Sequence, residues 1–106
     1  MGHYMFRASY TVVGLKGVLK EGASSRAAMI KELTEKAGGR FEAIYWAFGD
    51  DDVIVIAELP DNTTAAAFAT AVSASGAVTA ATTVLITADE MDAAAKINIG
   101  YRAPGA

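Results

Sequence analysis

The stretch "YWAFGDDDVIVIAELP", residues 45–60, decides the fold. Two apolar runs in it flank a glycine and three consecutive aspartates. Runs rich in β-branched and aromatic residues are typical of strands. The connection Gly49-Asp50-Asp51 has the length and the residue types of a hairpin turn. The sequence therefore predicts strands over residues 40–48 and 52–59, joined as an antiparallel hairpin.

The three aspartates at this turn also raise the alternative of a metal site. A Mg²⁺ or Ca²⁺ site needs several oxygens that converge on one point. Residues 50–52 alternate in direction where a strand begins, so neighbouring carboxylates diverge. We expect a solvated, charge-capped turn and no metal at these residues.

The segment before the hairpin predicts one strand and two helical pieces. Residues 3–11 alternate aromatic and polar side chains, as a half-buried strand does. A short helical turn follows over residues 14–22. Residues 24–37 then predict a helix that Ser24 or Ser25 caps and that ends at Gly38-Gly39. Four apolar residues share one stripe of this helix, namely Ala27, Ile30, Leu33 and Ala37.

The segment after the hairpin predicts a helix, a strand and a second, shorter helix. Asp61 is placed to cap a helix over residues 62–75, and residues 78–87 predict the fourth strand. The spacing of Thr87 and Glu90 matches a capping box, which predicts a last helix through about Ile97. We expect the tail, residues 98–106, to be extended.

The element order is therefore β-α-β-β-α-β with a short C-terminal helix, in a single domain over residues 1–106. This order is typical of the ferredoxin-like α+β fold, in which an antiparallel sheet has the first and third strands at its centre. The third strand is apolar on both faces, through Val53 and Val55 on one and Ile54 and Ile56 on the other. Two main helices cover one face, so we expect a homodimer that pairs two sheets as a dimeric α/β barrel.

Several blocks of the sequence resemble the GYD-domain proteins, which are small and mostly bacterial. The blocks are "AGGRFEAIYWAFGDDDVIVIAELPDN", "TTVLITADEMDAAAK" and the terminal "YRAPG". Gly49 and Asp52 stand at the glycine and aspartate positions of the family signature, and Asp51 stands where tyrosine is usual. The resemblance implies a fold similar to that of the dimeric α/β-barrel group, which includes antibiotic-biosynthesis monooxygenases and muconolactone isomerases. It implies no particular chemistry.

The composition argues against several classes of function. A net charge of −3 and the lack of a basic cluster argue against nucleic-acid binding. No apolar run has the length of a membrane span, and the start of the sequence has no export signal, so we expect a cytoplasmic protein. With no cysteine and with His3 as the single histidine, no metal site within one subunit and no cofactor are expected.

Arg7 and several aromatic residues are the candidate ligand-binding residues. Arg7 lies in the middle of a predicted central strand, which leaves three alternatives: an ion pair with Glu42 or Glu58, an exposed side chain, or a clamp for a ligand anion. Tyr45 and Trp46 are adjacent and must point to opposite faces. The candidate lining of a cavity between sheet and helices is Arg7, Tyr10, Trp46 and Phe48, with Arg102 of the tail as a further candidate.

Two functions follow from these residues, and no catalytic residue can be assigned. The first is a non-catalytic binding or assembly module whose apolar sheet face serves self-association. The alternative is a cofactor-independent oxygenase, isomerase or hydrolase that acts on a small aromatic or carbonyl compound inside a barrel cavity. Whether side chains fill that cavity distinguishes the two, because a fully packed core leaves no room for a substrate.

Overall fold

Four strands and four helices make up the chain, which a computed structural model describes over residues 1–106. The strands are β1 (Gly2–Tyr10), β2 (Arg40–Trp46), β3 (Val53–Leu59) and β4 (Val78–Leu85). The helices are α1 (Val12–Glu21), α2 (Ala23–Lys36), α3 (Asn62–Ala74) and α4 (Ala88–Ala95). The order of elements agrees with the sequence prediction, except that α1 is a full helix of 10 residues rather than a single turn.

The strands form one antiparallel sheet in the order β2-β3-β1-β4. β1 and β3 are central, as predicted, and this order agrees with the ferredoxin-like pattern. Phe6 lies opposite Val55 and Thr82, and its neighbour Arg7 lies opposite Ile54 and Ala81. The sheet of one chain is open, with β2 and β4 at its edges, so a single chain does not form a barrel.

The two faces of the sheet differ in what covers them. Helices α2 and α3 pack on one face, where Tyr4 and Ala8 of β1 meet Val53 and Ala57 of β3. We call the opposite face the open face. It carries the alternate residues of the central strands, which are His3, Met5, Arg7, Ser9, Ile54, Ile56 and Glu58.

The buried core is small and lies between β1, β3 and α3. Tyr4, Leu59 and Ala65 form its centre, with Phe6 and Phe68 packed against them. The Tyr4 hydroxyl donates a hydrogen bond to Oδ1 of Asn62 at 2.6 Å, which ties β1 to the start of α3. In all, 8 of 106 residues are buried, although 53% of the sequence is hydrophobic. Much apolar surface therefore stays uncovered in the single chain.

The aspartate segment forms the turn that the sequence predicted. It connects β2 to β3, and Gly49 adopts a positive φ of 150° in it. Asp52 accepts a hydrogen bond from the backbone N–H of Tyr10 at 2.8 Å, and Asp51 lies 3.8 Å from the Arg7 guanidinium. The carboxylates diverge as expected. They are not all solvated, however, because two of the three hold the turn against the end of β1.

Two details of α2 differ from the sequence prediction. Gly22, rather than Ser24 or Ser25, is the N-cap, and no side chain caps this end. Thr34 is the buried residue of the helix, whereas Leu33 is 41% exposed. The backbone N–H of Gly22 donates to the carbonyl of Val18 in the last turn of α1. Because α2 begins directly where α1 ends, Gly22 takes the N-cap position in place of a serine.

The end of the chain, residues 86–106, projects from the body, and we call it the C-terminal arm. The Thr87–Glu90 capping box that begins α4 is confirmed. Every residue of the arm is exposed, including the large apolar side chains of Ile97, Ile99 and Tyr101. The radius of gyration is 16.8 Å, against about 13 Å for a compact chain of this length. None of the helices is long and apolar enough to cross a membrane.

Candidate functional site

A cavity of about 90 Å³ lies between the sheet and helices α2 and α3. Of the 16 residues that line it, 14 are hydrophobic. The strands contribute Phe6, Ile44 and Val55, and α3 contributes Phe68 and Val72. The side chains of this layer are small or half-buried, and they leave a space that a tightly packed core would fill.

Three uncharged polar side chains line the cavity, and they differ in the hydrogen bonds that they can still make with a ligand. Nε1 of Trp46 donates to the Tyr10 hydroxyl at 3.2 Å, so these two rings are held together. The Thr34 hydroxyl donates to the Ile30 carbonyl at 2.8 Å, which leaves it no free proton. The lining contains no carboxylate and no histidine. The arrangement favours binding of an apolar molecule over proton transfer.

Arg26 is the charged residue of the cavity lining. It lies on the stripe of α2 that also carries Ile30 and Thr34, at spacings of four residues, so that all three face the sheet. Its guanidinium lies 3.9 Å from Glu21, at the limit of an ion pair. Arg26 therefore has hydrogen-bond donors left for a ligand anion. Arg26 was not among the predicted ligand-binding residues, although the helical stripe that predicted Ile30 as a core residue passes next to position 26.

The structure brings together two of the five predicted ligand-binding residues. Tyr10 and Trp46 line the cavity, and Tyr45 points to the opposite face, so the prediction that these two neighbours diverge is confirmed. Phe48 is fully exposed in the loop after β2, and Arg102 is exposed in the C-terminal arm. Arg7 lies on the open face, across the sheet from the cavity.

Arg7 does not contact the residues predicted as its partners. Its Nη1 lies 3.8 Å from Asp51, and its side chain is 42% exposed. Glu42 and Glu58 lie on the open face as expected, but they contact His3 and Arg40 instead. The buried Nε of Arg7 has no hydrogen-bond partner in the chain. A buried donor of this kind normally has an acceptor, so the open face lacks a contact here.

Four ionisable side chains form a cluster at the other end of the open face, and we call it the charged cluster: His3, Arg40, Glu42 and Glu58. His3 and Arg40 are the strand partners of Glu58 on its two sides. Nε2 of His3 lies 3.1 Å from Oε1 of Glu58 and 3.4 Å from Oε1 of Glu42. A shift of register between Phe41 and Ala43 marks an irregularity in β2 at Glu42.

Arg40 binds the other oxygen of Glu58. Its Nε donates to Oε2 at 2.6 Å, and this hydrogen bond holds the pKa of Glu58 below its usual value. The same contact raises the pKa of Arg40. Glu58 is therefore a carboxylate at neutral pH, with Oε1 directed at His3. No metal site was expected at His3 because the sheet register that brings it next to two glutamates cannot be read from any one segment.

The sequence model of the GYD domain family matches residues 4–95, a range that includes β2, β3, β4 and all four helices. Because the match spans most of the chain, the protein belongs to the GYD domain family. Comparison with curated proteins and with solved structures found no match.

Proposed function

We propose that this member of the GYD domain family is a non-catalytic binding module that self-associates as a homodimer, with a ferredoxin-like fold in each copy. The observation that carries the proposal is the open face of the sheet. Met5, Ile54 and Ile56 lie at its centre, and the packed helices α2 and α3 lie on the other side. A central strand that is apolar on both faces needs a cover on both.

A second copy of the chain fits this face better than an unrelated cover does. In a two-fold symmetric pair, each copy contributes the same patch to the interface. The apolar open face of one copy would therefore cover the apolar open face of the other. The unpartnered Nε of Arg7 would find its acceptor across such an interface. The exposed apolar residues of the C-terminal arm would also gain a surface to pack on. Two open sheets paired in this way make the dimeric α/β barrel.

The mass of the protein in solution tests self-association. We expect light scattering coupled to gel filtration to give twice the 11.0 kDa of one chain at micromolar concentration. We expect the homodimer to be stabilised by burial of the apolar centre of the open face, at about 25 cal/mol per Å² of apolar surface. A mass of one chain under these conditions would contradict the proposal.

The cavity supports a second function, the binding of a small apolar molecule. A space of about 90 Å³ is smaller than the roughly 150 Å³ that accepts benzene in an engineered core. It fits a short alkyl chain, with Arg26 placed to pair with a carboxylate at the other end. The enzymatic alternative has less support, because the lining holds no histidine and no carboxylate, the side chains that most often transfer protons, and Tyr10 is the titratable hydroxyl that remains.

Trp46 gives a direct readout of ligand in the cavity, since it is the single tryptophan and lines the space. We expect butyrate to change its fluorescence with saturation, and the bulkier benzoate to bind more weakly. Ala80→Leu fills the cavity and should abolish the butyrate response. The matched control Val84→Leu, on the same strand but outside this cavity, should retain it. An unchanged response in Ala80→Leu would place the ligand elsewhere.

A further inference from the structure

We propose that His3, Glu42 and Glu58 form a binding site for a divalent transition-metal ion, Zn²⁺ in particular, on the open face. The ligand atoms of the three side chains all lie within 4.8 Å of one another. The set combines one imidazole nitrogen with two carboxylate oxygens. Zinc accepts both kinds of ligand in proteins.

Two of the separations between these atoms are close to the edges of a zinc coordination tetrahedron. Zinc bonds to nitrogen and oxygen of about 2.0–2.2 Å place two ligand atoms of a tetrahedron about 3.3–3.5 Å apart. Nε2 of His3 lies 3.4 Å from Oε1 of Glu42 and 3.1 Å from Oε1 of Glu58. The two carboxylate oxygens lie within 4.8 Å of each other, so shifts of the side chains would bring all three atoms onto one ion.

The strands hold the three residues in place before any ion binds. His3 and Glu58 are direct partners in the β1–β3 register, so their side chains emerge side by side from the same face. Glu42 reaches them from β2, next to the irregularity in that strand. Sites on rigid strands are more closely defined than sites on loops.

Arg40 contacts both glutamates of the site, and its Nη2 lies 3.6 Å from Oε1 of Glu42. Its Nε binds Oε2 of Glu58 at 2.6 Å, which orients the carboxylate and leaves Oε1 directed at His3. A carboxylate ligand is commonly fixed in this way by a hydrogen bond to its other oxygen. Apart from His3, the cluster holds two carboxylates and one guanidinium. A divalent cation would add positive charge where the carboxylates outnumber the guanidinium.

The donor set also selects the class of ion. Ca²⁺ takes six to eight oxygen ligands, and Mg²⁺ keeps an octahedral shell of oxygens, so neither suits a site with one nitrogen and two oxygens. Imidazole with carboxylate suits zinc and its neighbours among the transition metals. All three ligands come from one chain, so the site does not depend on self-association.

Calorimetric titration of the full chain with ZnCl₂ tests the site. We expect one Zn²⁺ per chain, with saturation at micromolar concentrations and a shift of the His3 imidazole resonances in the NMR spectrum. Glu42→Gln and Glu58→Gln should each lower the affinity at least about tenfold. His3→Gln should abolish binding. The control Glu35→Gln, an exposed carboxylate on α2 outside the ion pairs, should leave affinity unchanged.

The two glutamate variants separate this site from chelation by the chain terminus. A histidine near an amino terminus can chelate Cu²⁺ or Ni²⁺ without any carboxylate, so the titration uses zinc. If both glutamate variants bind Zn²⁺ as tightly as the native chain, the ion is held by the terminus and the proposal is wrong. The absence of any heat or resonance shift at millimolar zinc would also overturn it. Circular dichroism of each variant shows that a loss of binding is not a loss of fold.

Discussion

Replacing Gly14 with alanine is expected to lower the free energy of unfolding by about 1–3 kcal/mol, the range for overpacking a closed contact. A Cβ at Gly14 would meet the backbone of Ala77, with the carbonyl carbon only 2.8 Å away. That backbone cannot withdraw freely, because its carbonyl oxygen accepts the N–H of Thr11 at 2.9 Å. The contact joins the start of α1 to the start of β4.

Gly17 supplies the matched control, because it lies in the same helix and a Cβ there would meet nothing within 4 Å. Alanine favours the helix over glycine by about 0.8–1.0 kcal/mol, so Gly17→Ala should stabilise the protein slightly. Urea denaturation of the two variants should therefore shift the midpoint in opposite directions. Equal shifts would show that α1 does not approach Ala77 as closely as the structure places it.

The fold was predictable because each element carries its own local signal. The β3 stretch is apolar on both faces, and Asp61 and the Thr87–Glu90 pair begin α3 and α4 with side-chain caps. These signals are independent of what the chain packs against. The two central strands followed from the order of elements.

The functional surfaces were less predictable because they depend on register. One residue along β1 separates Arg7, on the open face, from Phe6 at the cavity. Arg7 was therefore expected at a cavity that lies on the other side of the sheet. Likewise, His3 gains its two glutamates only through the pairing of β1 with β3 and the irregularity in β2. No spacing within one segment encodes these contacts.

The position of the C-terminal arm also depends on contacts that its own sequence does not encode. Its helix α4 was predicted correctly, and its capping box alone explains where the helix begins. The sequence could not show that the arm lies away from the body, because its apolar residues suit a packed helix equally well. Their exposure in one chain supports the proposal that the arm packs on a second copy.

Ile56→Lys is expected to have the largest effect on self-association. Ile56 is central on the open face, where it lies opposite Met5 and Ala43. A two-fold interface would bury the new ammonium group twice, once from each copy. An uncompensated buried charge costs about 3–5 kcal/mol. We therefore expect the dissociation constant of the homodimer to rise about 100-fold or more.

Analytical ultracentrifugation over a range of concentrations measures this change. The control is Val13→Lys, which adds the same side chain at an exposed position of α1, away from the open face. The control should sediment as the native homodimer, while Ile56→Lys sediments as single chains with an unchanged circular dichroism spectrum. Because the lysine projects away from α2 and α3, the core around Tyr4 and Leu59 is not disturbed. If Ile56→Lys remains a homodimer, the interface lies on another surface of the chain. The C-terminal arm would then be the first candidate for that surface.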